Sequence, residues 1–375
     1  MTRIKPLWLA EPSRFAHFPR TRARIAAGLL LLLLLTCLTS LTAPAPPAAG
    51  TGTESPAEDQ RDIILYETIV DAIRHGGAYY PTAAEALRVG DYPLRPFITM
   101  RMPGLAVVQA HLPPAMVLAL LYALVLAVAF AWYARFRDAL TDWPARAVAM
   151  ALLAGGLMAF VQADLWAFHE LWAGLLIALS LALRREGQWI EAVAAGLLAA
   201  LIRETAALYL IIMAVTAWRD HQRREAFGWG AALAILAVAL ITHAFAVARV
   251  VGPLDPASPG WSGMLGIGFF INAISVSTAL SLAPAWLAAV LAGLSLFGWA
   301  AWRDPLAVRV LLVIAAYAAM LALFARADTF YWVLLIAPIF LVGLVFAPDG
   351  LQDLMARALD RRRVRVQRVS MDPER

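Results

Sequence analysis

The sequence predicts an all-α fold: a polytopic transmembrane helix bundle of about ten hydrophobic segments, with cytoplasmic termini and an external loop of amphipathic helices after the first span. Three observations lead to it. Hydrophobic residues make up 62% of the 375-residue chain and charged residues 15%, with a mean hydropathy of +0.71; a soluble domain has roughly 45–50% apolar and about 25% charged residues. Apolar tracts of about 17–25 residues recur from Ile25 to Ala347, each long enough to cross a bilayer. The basic residues behind the net charge of +5 sit in the two tails and in alternate loops, as the positive-inside rule requires. They point to a lipid bilayer as partner, not to nucleic acid. The Ala/Arg/Leu-rich usage and short loops suggest a bacterial inner membrane.

Residues 1–24 carry Arg3, Lys5, Arg14, Arg20, Arg22 and Arg24 against Glu11, the pattern of a cytoplasmic basic tail. Residues 25–43 form the first span. A signal-peptide reading competes there, with a basic start, a Leu-rich centre and the small residues of 43–48. The single cysteine, Cys37, lies inside this tract, so no internal disulfide is available. Residues 44–103 form the periplasmic loop, with eight acids and five arginines, opening on an extended Pro/Ala/Gly/Thr linker at 44–53. Residues 104–348 hold the rest of the bundle, with spans expected at 114–132, 146–163, 168–183, 228–248, 285–302, 306–324 and 330–347. Residues 349–375 form a second basic cytoplasmic tail.

The stretch from Ile190 to Trp218 breaks the regular count. It is apolar except for Glu191 and the Arg203-Glu204 pair near its middle, yet both flanks are basic, with Arg184 and Arg185 before it and Arg219, Arg223 and Arg224 after. One straight helix would place those flanks on opposite faces. The preferred reading is two short helices that dip in and return, with Arg203-Glu204 at the apex; such halves need surrounding protein. The alternative is one long tilted helix, with residues 263–282 promoted to a true span. Under the split reading, 263–282 is an interfacial or re-entrant helix.

Candidate functional groups are ionisable residues placed where apolar ones belong. Ser55-Pro56-Ala57-Glu58 is a capping box with proline at the first helical position, and the helix it starts runs to about Arg74 before Gly76-Gly77. At 100° per residue Leu65, Tyr66, Ile69, Val70 and Ile73 make one apolar arc. Asp62 falls in its middle and Asp59 lies within it beside Tyr66. A carboxylate there is costly unless paired or functional, which makes Asp62, and after it Asp59, candidate general bases; first-turn acids favoured by the helix dipole are the bland alternative. Asp164, His169 and Glu170 are a weak candidate set for a divalent cation, or else an ordinary wet helix end. Arg203 and Glu204 pair with each other or contact an anionic group. Arg326 is a further candidate phosphate contact or else a partner of Asp328, and Arg101 before Met102-Pro103 carries the same two readings. Tyr331-Trp332 suits an interfacial aromatic belt.

Several stretches carry a family likeness: Asp62-Ile63-Ile64-Leu65-Tyr66, Gly76-Gly77-Ala78-Tyr79-Tyr80, Arg101-Met102-Pro103, and Gly196-Leu197-Leu198-Ala199-Ala200-Leu201-Ile202-Arg203-Glu204. Together with a long external loop after one span, they resemble the C-type integral-membrane glycosyltransferases. The resemblance implies a polyprenyl-phosphate-linked sugar as donor, Asp62 as the catalytic acid of the first external loop, and Arg203 as the basic position of the Gly-Leu-rich segment. The chain departs from that pattern in having no adjacent Asp-Asp or Asp-Glu pair in the loop, and no large soluble C-terminal domain is expected. The leading expectation is therefore a glycosyltransferase acting on a periplasmic-side acceptor. A transporter or flippase of lipid-linked substrate is the competing class, and it predicts a single long helix from Ile190 to Trp218.

Overall fold

A computed structural model describes residues 5–46 and 61–360. Asp59 and the capping box of 55–58 lie outside the described residues, as do the arginines after 360. The described chain is helical, with isolated β-bridges as its only extended pairing. α1 (Arg20–Cys37) is prolonged by a 3-10 turn to Leu41. The loop region holds α2 (Arg61–Arg74), α3 (Tyr79–Val89) and α4 (Gly104–His111). α5 (Pro114–Ala139), α6 (Trp143–Gly156), α7 (His169–Leu183), α8 (Ile190–Ile202), α9 (Ala207–Arg219) and α10 (Arg223–Ala248) follow. The last third contains α11 (Gly266–Val276), α12 (Ala285–Ala301), α13 (Pro305–Phe324), the short α14 (Ala337–Phe340) and α15 (Gly343–Ala358).

Among the described residues, five helical segments are long and apolar enough to cross a membrane: 20–41, 114–139, 223–248, 305–324 and 337–358. The protein is thus an all-α, multi-pass membrane protein. α7, α8, α11 and α12 are apolar but shorter. The expected count of about ten hydrophobic segments is not confirmed: the described residues hold five long apolar helices and four shorter ones.

Two opposite faces organise the bundle. On the first, here the tail face, the Asp349 carboxylate accepts backbone N–H bonds from Leu7, Trp8 and Leu9 at 2.6, 3.0 and 3.1 Å, and Asp353 accepts one from Ser13 at 2.9 Å. Phe15 stacks on Phe297 at 5.2 Å. Neither end is therefore a simple tail: residues 5–18 are packed, and α15 runs on to Ala358 past the boundary expected at 348. Asp349 and Asp353 read as polar tail in sequence, but they satisfy N-terminal amides that would otherwise be orphaned. On the second, the loop face, α11 is packed into the bundle, with Phe269, Phe270, Ile271, Ala273 and Ile274 buried. Asn272 Nδ2 donates to the Ser40 and Pro44 carbonyls at 3.1 and 3.2 Å, and Met264 N–H donates to Leu323 O at 3.2 Å.

The chain reverses at Arg203. α8 and α9 have 13 residues each, about 20 Å of helix apiece, against a hydrocarbon core of about 30 Å. Arg203 between them is extended, at φ −134° and ψ 106°. Gly196, about two turns before the apex, lies against Tyr209 and Leu210, about two turns after it: a Cβ there would stand 3.0 Å and 3.1 Å from their side chains. A small residue is what lets the two halves approach this closely. The far ends return together, with Arg184 paired to Glu225 at 2.7 Å and Gln222 Nε2 donating to Glu186 at 3.0 Å. The Ser180 hydroxyl bonds both Ala192 O at 2.6 Å and Tyr209 Oη at 2.7 Å, so α7 braces the hairpin that lipid alone would not hold.

Candidate functional site

α2 carries the site because its apolar arc anchors it. Leu65, Tyr66, Ile69, Val70 and Ile73 are buried, packed towards α3 and α4. Asp62 continues that arc at the point where packed surface gives way to a cavity. A carboxylate there meets open space and polar partners, so its position on an apolar face does not carry the full desolvation penalty. Its Oδ1 accepts a hydrogen bond from Tyr92 Oη at 2.6 Å. Tyr92 reaches it because Asp91, at φ 57°, turns the chain sharply after α3. Arg61 fixes this turn by donating to Gly90 O at 2.6 Å, with its guanidinium 5.5 Å from the Tyr92 ring centroid. Burial, and then the neighbouring Asp62 charge, push the Tyr92 hydroxyl well above the usual tyrosine range. It stays protonated and donates to Asp62.

The cavity has a volume of about 1680 Å³ and opens on the loop face. Asp62, Tyr66, Arg101, Asp164, Arg203, Glu204 and Arg326 all line it. Residues as far apart as 62 and 326 in sequence thus share one chamber. Its aromatic lining includes Tyr79, Tyr92, Trp261, Phe168 and Tyr331, and at one edge it reaches Val276 and Phe324, which are 48% and 50% exposed. That edge is apolar.

A buried ionic cluster forms one wall. Arg203, 2% exposed, pairs through Nε with Glu170 at 2.5 Å and also contacts Glu204. Arg101 lies 3.4 Å from Glu204 and 3.9 Å from Glu170, and its Nε is buried without a hydrogen-bond partner. Two arginines and two glutamates neutralise one another, as buried charges must. The backbone holds each in place. Tyr79 Oη donates to Arg101 O at 2.5 Å, Tyr317 Oη donates to Thr205 O at 3.0 Å, and His243 on α10 bridges Met100 O at 2.9 Å and Tyr80 Oη at 3.2 Å.

No protein-family model, curated protein or solved structure matches this chain. Its chemistry has to be read from the cavity itself.

That cavity corrects several expectations. Arg203 is not a free phosphate contact, because its guanidinium is paired with Glu170 and Glu204; Arg101, whose contacts to the same carboxylates are longer, is the more loosely held cation. Asp164, His169 and Glu170 do not form a metal site. Among the described residues no group of three or more His, Cys, Asp or Glu could hold a metal ion. Glu170 is turned onto Arg203, and both His169 ring nitrogens lack partners while its ring packs against Tyr66 at 4.7 Å. Arg326 pairs with Asp328 at 2.6 Å on the cavity rim. Tyr331 is not part of an interfacial belt: it lines the cavity and packs edge-on to Phe168 at 5.1 Å. The Arg203-Glu204 pair stands at a chain reversal beside this chamber, where the single long helix required by the transporter reading is absent.

Tyr92 is the polar group that sequence reasoning missed as a partner in the site. Tyr92 has no periodic signal, since it sits in a turn of polar and proline residues. The pairing of Arg326 with Asp328, by contrast, was one of the two readings their spacing offered.

Proposed function

We propose that the chain is a membrane glycosyltransferase, moving a sugar from a polyprenyl-phosphate carrier to an acceptor on the periplasmic side of a bacterial inner membrane. The observation that supports it is one chamber combining a half-buried carboxylate, a wall of paired arginines and glutamates, an aromatic lining and an apolar edge. A polyprenyl chain would enter past Val276 and Phe324, and the sugar would lie against the aromatic rings. Asp62 takes the proton of the acceptor hydroxyl, and the resulting oxygen attacks the anomeric carbon. The bond from that carbon to the phosphate oxygen breaks, and the electron pair leaves with the polyprenyl phosphate. Arg101 and Arg326 stabilise the charge that develops on the leaving oxygen. Attack opposite the leaving group inverts the anomeric centre.

The test is Asp62→Asn, with the cell-envelope glycan and the membrane level of the protein both measured. General-base catalysis is worth about 10²–10⁴-fold, so product formation falls by that order at unchanged protein level. Unchanged glycan would reject the proposal.

A further inference from the structure

At the tail face, far from the chamber above, a second cavity of about 490 Å³ is lined by four arginines, Arg14, Arg184, Arg219 and Arg303, against two acids, Glu186 and Asp220. Asp220 is already paired, Glu186 is held by a neutral amide, and the four arginines outnumber the two acids. Asp220 meets Arg309 at 3.1 Å and Arg219 at 3.2 Å, and Glu186 accepts from Gln222 at 3.0 Å. Arg184 is held by Glu225 at 2.7 Å. That leaves two cations without a carboxylate. Arg14 donates only to Trp302 O at 3.1 Å, and its Nε is buried without a partner. Arg303 is exposed and has no ion pair among the described residues. Burial, and then the charge of Arg303, lower the Arg14 pKa from its ordinary value. Two like charges that face one cavity and lack a counter-ion favour an anion between them.

The walls indicate which anion. On α9, Ile211 and Val215 precede Arg219 at four-residue steps and so share its face; they are 46% and 61% exposed, and neighbouring Trp218 is 54% exposed. On α13, Val308 lines the cavity and Leu312, about one turn further along, is 40% exposed. Each wall therefore continues into an exposed apolar row running away from the basic mouth. A soluble phosphate would use only the mouth, whereas a lipid would use both.

We propose that this tail-face cavity binds the phosphate headgroup of an anionic phospholipid. The Arg14 and Arg303 forks hold phosphate oxygens, Arg219 closes the membrane-side edge, and the acyl chains lie along the apolar rows of α9 and α13. The site is independent of the chemistry proposed for the loop-face chamber.

The test uses the purified full-length protein in detergent, titrated with phosphatidylglycerol, phosphatidylcholine or inorganic phosphate, with bound ligand read by native mass spectrometry. Phosphatidylglycerol binds, and the other two bind about tenfold more weakly or not at all. The double variant Arg219→Gln/Arg303→Gln weakens phosphatidylglycerol binding about tenfold, as expected for losing two cations near a phosphate. Both side chains are exposed, so thermal melting without lipid stays at the parental value. Arg137→Gln, an exposed arginine of the same face outside the cavity, leaves binding unchanged. Equal binding of phosphatidylcholine, equal binding of inorganic phosphate, parental affinity in the double variant, or an equal loss in Arg137→Gln would each overturn the assignment.

Discussion

Asp62 and Tyr92 show how a single contact assigns a role. A carboxylate in the apolar arc of α2 is tolerated because it faces the chamber, and the Tyr92 hydroxyl at 2.6 Å fixes its orientation and leaves Oδ2 for an acceptor. In Tyr92→Phe the carboxylate keeps its position in the helix and loses that orienting bond. The expected result is a fall in kcat of about tenfold, the order of one lost charge-assisted hydrogen bond, with KM for the acceptor little changed. Steady-state kinetics on membranes checks this, and a change confined to KM would instead make Tyr92 a binding residue. Arg203 gives the converse lesson. A guanidinium at the right place in sequence proves to be bound by Glu170 and Glu204, so it shapes the wall and leaves Arg101 as the more loosely held cation.

Elements on the loop face are tied together by few but specific bonds, and one of them is acid-sensitive. Arg88, in the last turn of α3, forks onto both Asp255 oxygens at 2.8 Å and donates to Val250 O at 2.8 Å. Asp255 also accepts the Gly252 N–H at 2.7 Å. The hydrogen bonds from Arg88 and then from Gly252 hold the Asp255 carboxyl down at about 2, against an ordinary value of 3.8. A carboxyl depressed in the fold stabilises it fully above its unfolded pKa, and that stability is lost as pH falls towards the folded value. The tether between α3 and the loop after α10 is thus intact at neutral pH and released between about pH 4 and pH 2. Hydrogen exchange of residues 250–258 should rise across that interval, and Arg88→Gln should show the raised exchange already at pH 7. If exchange there is flat from pH 7 to pH 2, the tether does not hold the loop.

Across the whole molecule, the two faces differ in kind. The tail face is braced by carboxylates that bind N-terminal amides and by the Arg184–Glu225–Arg309 cluster, in which Glu225 meets Arg184 at 2.7 Å and Arg309 at 2.9 Å. The loop face is open, with its large chamber between α2, the α8–α9 reversal and the turn after α13. The reversal sets the sidedness of everything after it. Cysteines introduced at Arg137 and Arg219 should react with an impermeant maleimide from the same side of the membrane, and one at Arg95 from the other side. The native Cys37 is buried and should stay silent. Labelling of positions 137 and 219 from opposite sides would require α8 and α9 to be one continuous span, contrary to this fold.

Composition and charge placement were enough to make this an all-helical, multi-pass membrane protein, because a bilayer tolerates only chain segments that satisfy their own backbone bonds. The apolar arc of α2, the misplaced Asp62, and basic residues on both flanks of 190–218 were legible for the same reason: each is a local violation of a periodic or charge rule. Span lengths were less legible. Short helices such as α8 and α9 are sheltered by neighbours, and no hydropathy window sees neighbours. The partners of the ionisable groups were not legible at all. Glu170 and Arg203, Arg101 and Glu204, Asp62 and Tyr92, and Asp349 with the N-terminal amides are joined across long stretches of sequence, and an electrostatic contact depends on distance in space. Only the tertiary structure could decide which charges neutralise one another and which are left facing a cavity, and both proposed ligand sites rest on that distinction.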